Sequence, residues 1–86
     1  MREIKYREIT TNAEDSRPLS LSYLVLVDKS KQPERYGIKV VEGNSGEVAQ
    51  ALDLTTDTKR IYDLVDKLAK NAVTPTSLAD IVADWL

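Results

Sequence analysis

The sequence predicts an α+β fold: an antiparallel sheet of four strands followed by two helices packed on one of its faces. Two observations carry this. Up to about Leu54 the apolar residues recur at every second position, the period of a half-buried strand, whereas from about Thr58 to Leu86 they recur at helical spacing. The helical part falls into two blocks divided at Thr74-Pro75. Strands followed by two amphipathic helices bury both apolar surfaces by laying the helices on the sheet.

The first strand is read over residues 2–10, with Ile4 and Tyr6 on one face and Lys5 and Arg7 on the other. Ile9 falls out of phase, which points to a bulge or to burial of the second face at that end. Residues 11–18 are polar and read as a loop. The second strand, 19–27, has the clearest pattern: Leu19, Leu21, Tyr23, Val25 and Val27 share one face. Its other face is polar at Ser20 and Ser22 and apolar at Leu24 and Leu26, as expected of a central strand. A charged connection, 28–35, leads to the third strand, 36–42, with Tyr36, Ile38 and Val40 toward the core. Gly37 inside that strand marks a bulge or a cross-strand aromatic contact.

Gly43-Asn44-Ser45-Gly46 is a turn, and 47–54 follows as a fourth strand with Val48, Leu52 and Leu54 inward and Ala49, Ala51 and Asp53 outward. The alternative for 47–54 is that its alanines extend a helix. The first helix is read over 57–72, capped by Thr56 or Asp57, with Ile61, Leu64, Val65, Leu68 and Ala72 in one stripe. Lys67 and Lys70 complement its C-terminal dipole. The second, 75–86, starts with Thr74 as cap and Pro75 at the first helical position, where a missing N–H is harmless. Leu78, Ile81, Val82, Trp85 and Leu86 form its stripe.

The chain of 86 residues makes a single domain with one thin core. Its formal charge is −2, with eight basic and seven acidic residues through Gly43 and four basic and seven acidic residues after it. Neither half resembles the basic footprint of a nucleic-acid binder. There is neither cysteine nor histidine, which excludes disulfides, the commonest zinc ligands and the commonest nucleophile pairs. The charged N-terminal residues are unlike a secretion signal, and the run Tyr23 to Val27 is too short to span a bilayer, so a cytoplasmic location is expected.

The block from Tyr36 to Leu86 resembles a known family. Tyr36-Gly37-Ile38, Asp53-Leu54-Thr55-Thr56-Asp57, the run Leu64 to Ala72, the Val73-Thr74-Pro75 junction and the closing run Leu78 to Leu86 are similar to a family of short bacterial proteins, mainly from clostridia and related Gram-positive anaerobes. That family is an uncharacterised domain of unknown function. The resemblance implies a cytosolic sheet-plus-two-helices domain and supplies no catalytic or ligand residues.

The residues themselves point to no chemistry, and neither cofactor nor metal is expected. Asp63 with Asp66 and Asp80 with Asp84 share helix faces, but two carboxylates are too few for a hard cation and read as solvated surface. Gly43 to Gly46 lacks the Lys-Ser/Thr of a phosphate loop. Lys5-Tyr6-Arg7 interleaves base and aromatic, yet neighbours on a strand point to opposite faces, so Tyr6 cannot share one stacking platform with Lys5 and Arg7. A helix-turn-helix reading fails because the second helix carries Asp80 and Asp84 and no base to meet phosphate.

What is left favours a protein partner. Leu24, Leu26 and Val41, with Ala49 and Ala51, fall on the sheet face opposite the helices, an apolar patch that either a partner or the long loops would cover. Trp85 joins Asp84 and the terminal carboxylate at a helix end that disfavours negative charge, so a basic neighbour is expected there, from Arg2, Lys5 or another molecule. The leading expectation is therefore a small non-catalytic interaction or regulatory module, with an unknown partner or a homodimer joined through the open sheet face, and with Leu24, Leu26, Val41 and Trp85 as contact residues. The alternative is a nucleic-acid-binding regulator using Lys5, Arg7, Lys29, Lys31 and Lys39.

Overall fold

A computed structural model describes residues 1–12 and 17–86. The expected loop 11–18 lies partly outside these, at residues 13–16. Four strands, β1 (Arg2–Asn12), β2 (Pro18–Asp28), β3 (Arg35–Glu42) and β4 (Val48–Thr55), precede α1 (Thr58–Lys70), a 3-10 turn (Pro75–Ser77) and α2 (Leu78–Trp85). The strands form one antiparallel sheet in the order β1-β2-β3-β4, so β1 and β4 are its edges. Both helices lie on the same face: α1 touches all four strands, and the 3-10 turn and α2 lie over the β4 side.

The core follows the period-2 face of β2. Leu21, Tyr23, Val25 and Val27 pack with Ile38 and Val40 of β3 beneath Ile61, Leu64, Val65 and Leu68 of α1 and Leu78 and Val82 of the C-terminal part. Truncating any one of the buried leucines to alanine removes about 2–5 kcal/mol, a large share of what a domain of this size holds (about 5–10 kcal/mol).

Two irregularities place the remaining side chains. In β1 the register shifts between Lys5, opposite Leu24, and Arg7, opposite Tyr23, leaving Tyr6 as the extra residue of a bulge. This explains the phase of Ile9, which sits opposite Leu21 on the helix side. In β4 the register slips between Tyr36, opposite Thr55, and Ile38, opposite Ala51, so residues 52–54 stand against Gly37 alone. Asp53 adopts φ 55° within this bulge. A Cβ on Gly37 would stand 2.4 Å from the Ala51 carbonyl oxygen, so only glycine lets β4 close on β3 here.

The expected phase of β4 is reversed. Ala49 pairs with Val40 and Ala51 with Ile38, which puts both alanines under the helices. Val48 and Leu52 point outward and are exposed, while Leu54 packs on the core as expected. The reason is space: small side chains at 49 and 51 let Pro75, Leu78 and Val82 settle over this strand. The question of strand or helix over 47–54 is resolved as strand.

Asp57 caps α1, accepting from the backbone N–H groups of Lys59 and Arg60. The helix ends before Ala72, not at it. Ala72 takes a left-handed conformation (φ 49°), with Val73 N–H donating to Leu68 C=O and Ala72 N–H to Ala69 C=O, a Schellman closure without its usual glycine. Thr74 stands at the cap position of the next segment but makes no capping bond through its side chain, and a turn of 3-10 helix precedes α2. The Tyr23 hydroxyl, fully buried, donates to Val73 C=O at 2.8 Å and so anchors the start of this link to the centre of the sheet. Burial pushes that phenol up to about 12.

Candidate interaction surface

The outer sheet face is less open than the pattern suggests. Leu24 and Val41 are half-buried, but Leu26 is only 1% exposed and is not available as a contact residue. Lys39 on β3 reaches across β2 to Glu3 on β1 (3.2 Å), and the strand between them carries Leu24 and Leu26. That ion pair lies over the leucines, and the aliphatic stem of Lys39 covers apolar surface while its ammonium reaches solvent. On the same side of β1, Lys5 pairs with Glu8, and the hydrogen bond from Lys5, helped by Ser22, holds the Glu8 carboxyl below its ordinary range.

The Tyr6 bulge corrects a second expectation. Tyr6 and Arg7 do share a side: the Arg7 guanidinium lies 4.6 Å from the Tyr6 ring centre, and both reach α1. Arg7 Nε donates to Asp66 (2.8 Å), which raises the guanidinium's already high pKa, and Tyr6 stacks edge-on against Tyr62 at 4.7 Å. The extra residue rotates the pleat, so two successive side chains point to the helices. This cluster is a strap tying β1 to α1.

The bases named as phosphate contacts are largely engaged. Lys5 pairs with Glu8, Arg7 with Asp66, Lys31 with Asp53 and Lys39 with Glu3. The helix carboxylates are divided too, since Asp66 holds Arg7 while Asp63 holds Lys59. Among the described residues no group of three or more carboxylates gathers at one point. The Gly43 to Gly46 segment is a hairpin turn, closed by Gly46 N–H to Glu42 C=O and Glu42 N–H to Glu47 C=O.

Trp85 packs on the rim of the core. Arg60 stands over its ring, the guanidinium 4.5 Å from the indole centre. Arg2 and Lys5 sit on β1, whereas Arg60 leaves the first turn of α1 beside the end of α2.

The apolar surface that remains open gathers at β4. Val48 (51% exposed) and Leu52 (45%) stand on its outer side, Val48 beside Val41. On its helix side a groove of about 320 Å³ runs between the strand and α2, floored by Ala49 and Ala51 and walled by Leu78, Val82, Ala83 and Leu86. Leu86 is 77% exposed, so among the described residues three of the four large exposed apolar side chains flank this edge. From Val48 to Leu52 the strand bears no charge.

The full-length pattern of strands and helices now has its family. The chain belongs to a family of unknown function, DUF6514. Its family model matches residues 2–86. No curated protein and no solved structure matches the chain. Membership assigns no residue a role. Among the described residues no helix is long and apolar enough to cross a membrane.

The residues at this edge that sequence reasoning passed over are Val48 and Leu52, taken as core, and Ala49 and Ala51, taken as outer face. The run Val48-Ala49-Gln50-Ala51-Leu52 held the signal in its lack of charge, which marks an edge strand not protected against pairing.

Proposed function

We propose that this domain is a non-catalytic protein-interaction module of the cytoplasm, whose working surface is the free edge of β4 with the groove beside α2. The observation that carries this reading is the uncharged run Val48 to Leu52 on an edge strand, flanked by exposed Val48, Leu52 and Leu86. An unblunted edge offers main-chain donors and acceptors in a row, and an extended segment of a partner adds to it as a further strand. Neighbouring apolar side chains then supply the contact area that hydrogen bonds alone do not. Leu24 and Val41, half-buried on the outer face, extend this surface inward from Val48.

The test is a photo-crosslinking amino acid placed at Val48 and, separately, at Glu8 on the opposite edge. Adducts formed in the cytosol of the source cells from position 48 and not from position 8 support the reading. Adducts from both positions alike, or from neither, overturn it.

A further inference from the structure

We infer that the occupant of the β4 edge is a second copy of this chain, paired antiparallel about a two-fold axis at Gln50. This rests on the reading of β4 as the working surface and adds its partner. The run Val48-Ala49-Gln50-Ala51-Leu52 is nearly palindromic in shape: a branched apolar side chain, alanine, glutamine, alanine, a branched apolar side chain. An isologous interface needs such self-complementarity, because each residue meets its own symmetry equivalent or that of its mirror position.

The hydrogen-bond phase agrees. Glu42 N–H donates to Glu47 C=O at 2.9 Å, and bonded pairs alternate along an antiparallel ladder. In the register of Val40 with Ala49 and Ile38 with Ala51, residues 47, 49 and 51 therefore turn their main-chain groups to β3. Val48 and Gln50 turn theirs to the free edge, and the alternation holds up to the bulge that begins at Leu52. An axis at Gln50 lets the two Gln50 residues exchange both main-chain bonds, and sets Val48 of each copy opposite Leu52 of the other.

The side chains agree as well. Directly opposed residues point to the same face, so each Val48–Leu52 contact forms on the outer side and removes two exposed apolar groups from water. On the helix side Ala49 faces Ala51 of the other copy. There the α2 helices approach across the axis with Ala79 and Ala83, both exposed small residues, toward the seam. Moving the axis by one residue, to Ala49, sets Val48 against Gln50 and Leu52 against Gly46, and both apolar contacts are lost. The other edge offers no comparable match, since β1 bears Arg2, Glu3, Lys5, Arg7 and Glu8.

The experiment is sedimentation equilibrium on three full-length chains: wild type, Val48→Lys/Leu52→Lys and Val48→Lys/Leu52→Glu, each first checked for a native circular dichroism spectrum. All substitutions fall on half-exposed outward positions, so the fold tolerates them. The antiparallel register sets lysine against lysine in the first variant and lysine against glutamate in the second. The expected result is a wild-type dimer, a Lys/Lys variant weakened at least about tenfold relative to the Lys/Glu variant, and a Lys/Glu dimer that weakens as salt rises. A wild-type chain that stays monomeric at roughly 0.5 mM, a free-energy scale at which even weak specific dimers form, overturns the inference. So do two variants that dimerise equally. Adducts from position 48 to a different protein would in that case leave the interaction reading standing with another occupant.

Discussion

The two edges of the sheet face the same hazard and meet it differently. β1 ends the sheet with five charged side chains between Arg2 and Glu8, a bulge at Tyr6, and ion pairs that tie it to its surroundings: Lys5 to Glu8, Arg7 to Asp66 and Glu3 to Lys39. Charges and bulges are the devices by which natural sheets prevent stray strand pairing. β4 has its bulge and its single charge, Asp53, only at its far end, and the five residues before that charge are uncharged. One edge is closed to other chains and the other is left pairable. The contrast is the reason for proposing the unprotected edge as the interaction surface, because such an edge left uncovered is an aggregation liability.

Four substitutions break or sharpen this contrast. The largest effect belongs to Gly37→Ala, whose new methyl would meet the Ala51 carbonyl at 2.4 Å and the Leu52 Cα at 3.1 Å. Both are backbone atoms, so β4 must move away, and we expect a loss of about 3 kcal/mol by urea denaturation. An unchanged midpoint would mean that β4 is not held as a fixed template. Next comes Tyr23→Phe, which leaves the Val73 carbonyl without its buried partner and loosens the link that sets α2 over β4. The expected loss is about 1–2 kcal/mol, with faster amide exchange in α2 than in the β1–β2 hairpin.

The same tyrosine gives a pH arm. Its pKa is raised from 10.0 to about 12 in the folded chain, so the neutral phenol is the form the fold favours. That contribution is complete below pH 10 and is lost as pH rises from 10 through about 12. Alkaline unfolding curves should show this step in the wild type and lack it in Tyr23→Phe. A smaller effect, of opposite sign, is expected for Ala72→Gly. Relief of the left-handed alanine outweighs the added freedom of the unfolded chain, for a gain of about 0.5 kcal/mol in stability, read as a raised thermal midpoint. The smallest change is that of Arg7→Met on the protected edge, since Arg7 and Asp66 are both about half exposed. Its effect should fall below that of Tyr23→Phe and vanish in high salt.

The sheet and the helices were legible because β2 keeps an unbroken alternation from Leu19 to Val27 and because Ile61 to Leu68 keeps a helical stripe. The phase of β4 was not. The rule that larger apolar residues point inward fails at Val48 and Leu52, since a helix laid close on a strand demands alanine beneath it. The end of α1 was misplaced because the left-handed residue that stops it is Ala72, where glycine is the usual sign. Of the contact residues read from sequence, Leu24 and Val41 keep partial exposure, Trp85 is stacked under Arg60, and Leu26 is covered beneath the Lys39–Glu3 pair. That pair joins residues 36 apart, a closeness that only the assembled sheet creates. The symmetry of the run around Gln50 was present in the sequence all along, but it acquires meaning only once β4 is known to be an edge.

Tyr6 has an unusual standing in β1. Lys5 and Arg7 already oppose neighbouring residues of β2, Leu24 and Tyr23. Excising Tyr6 would therefore splice two segments that are in step, with Ile4 and Ile9 keeping their places against Val25 and Leu21. In most strands losing one residue turns every later side chain inside out. Here the hairpin is built so that a shortened version remains a grammatical one, and what would be forfeited is the clasp on Tyr62.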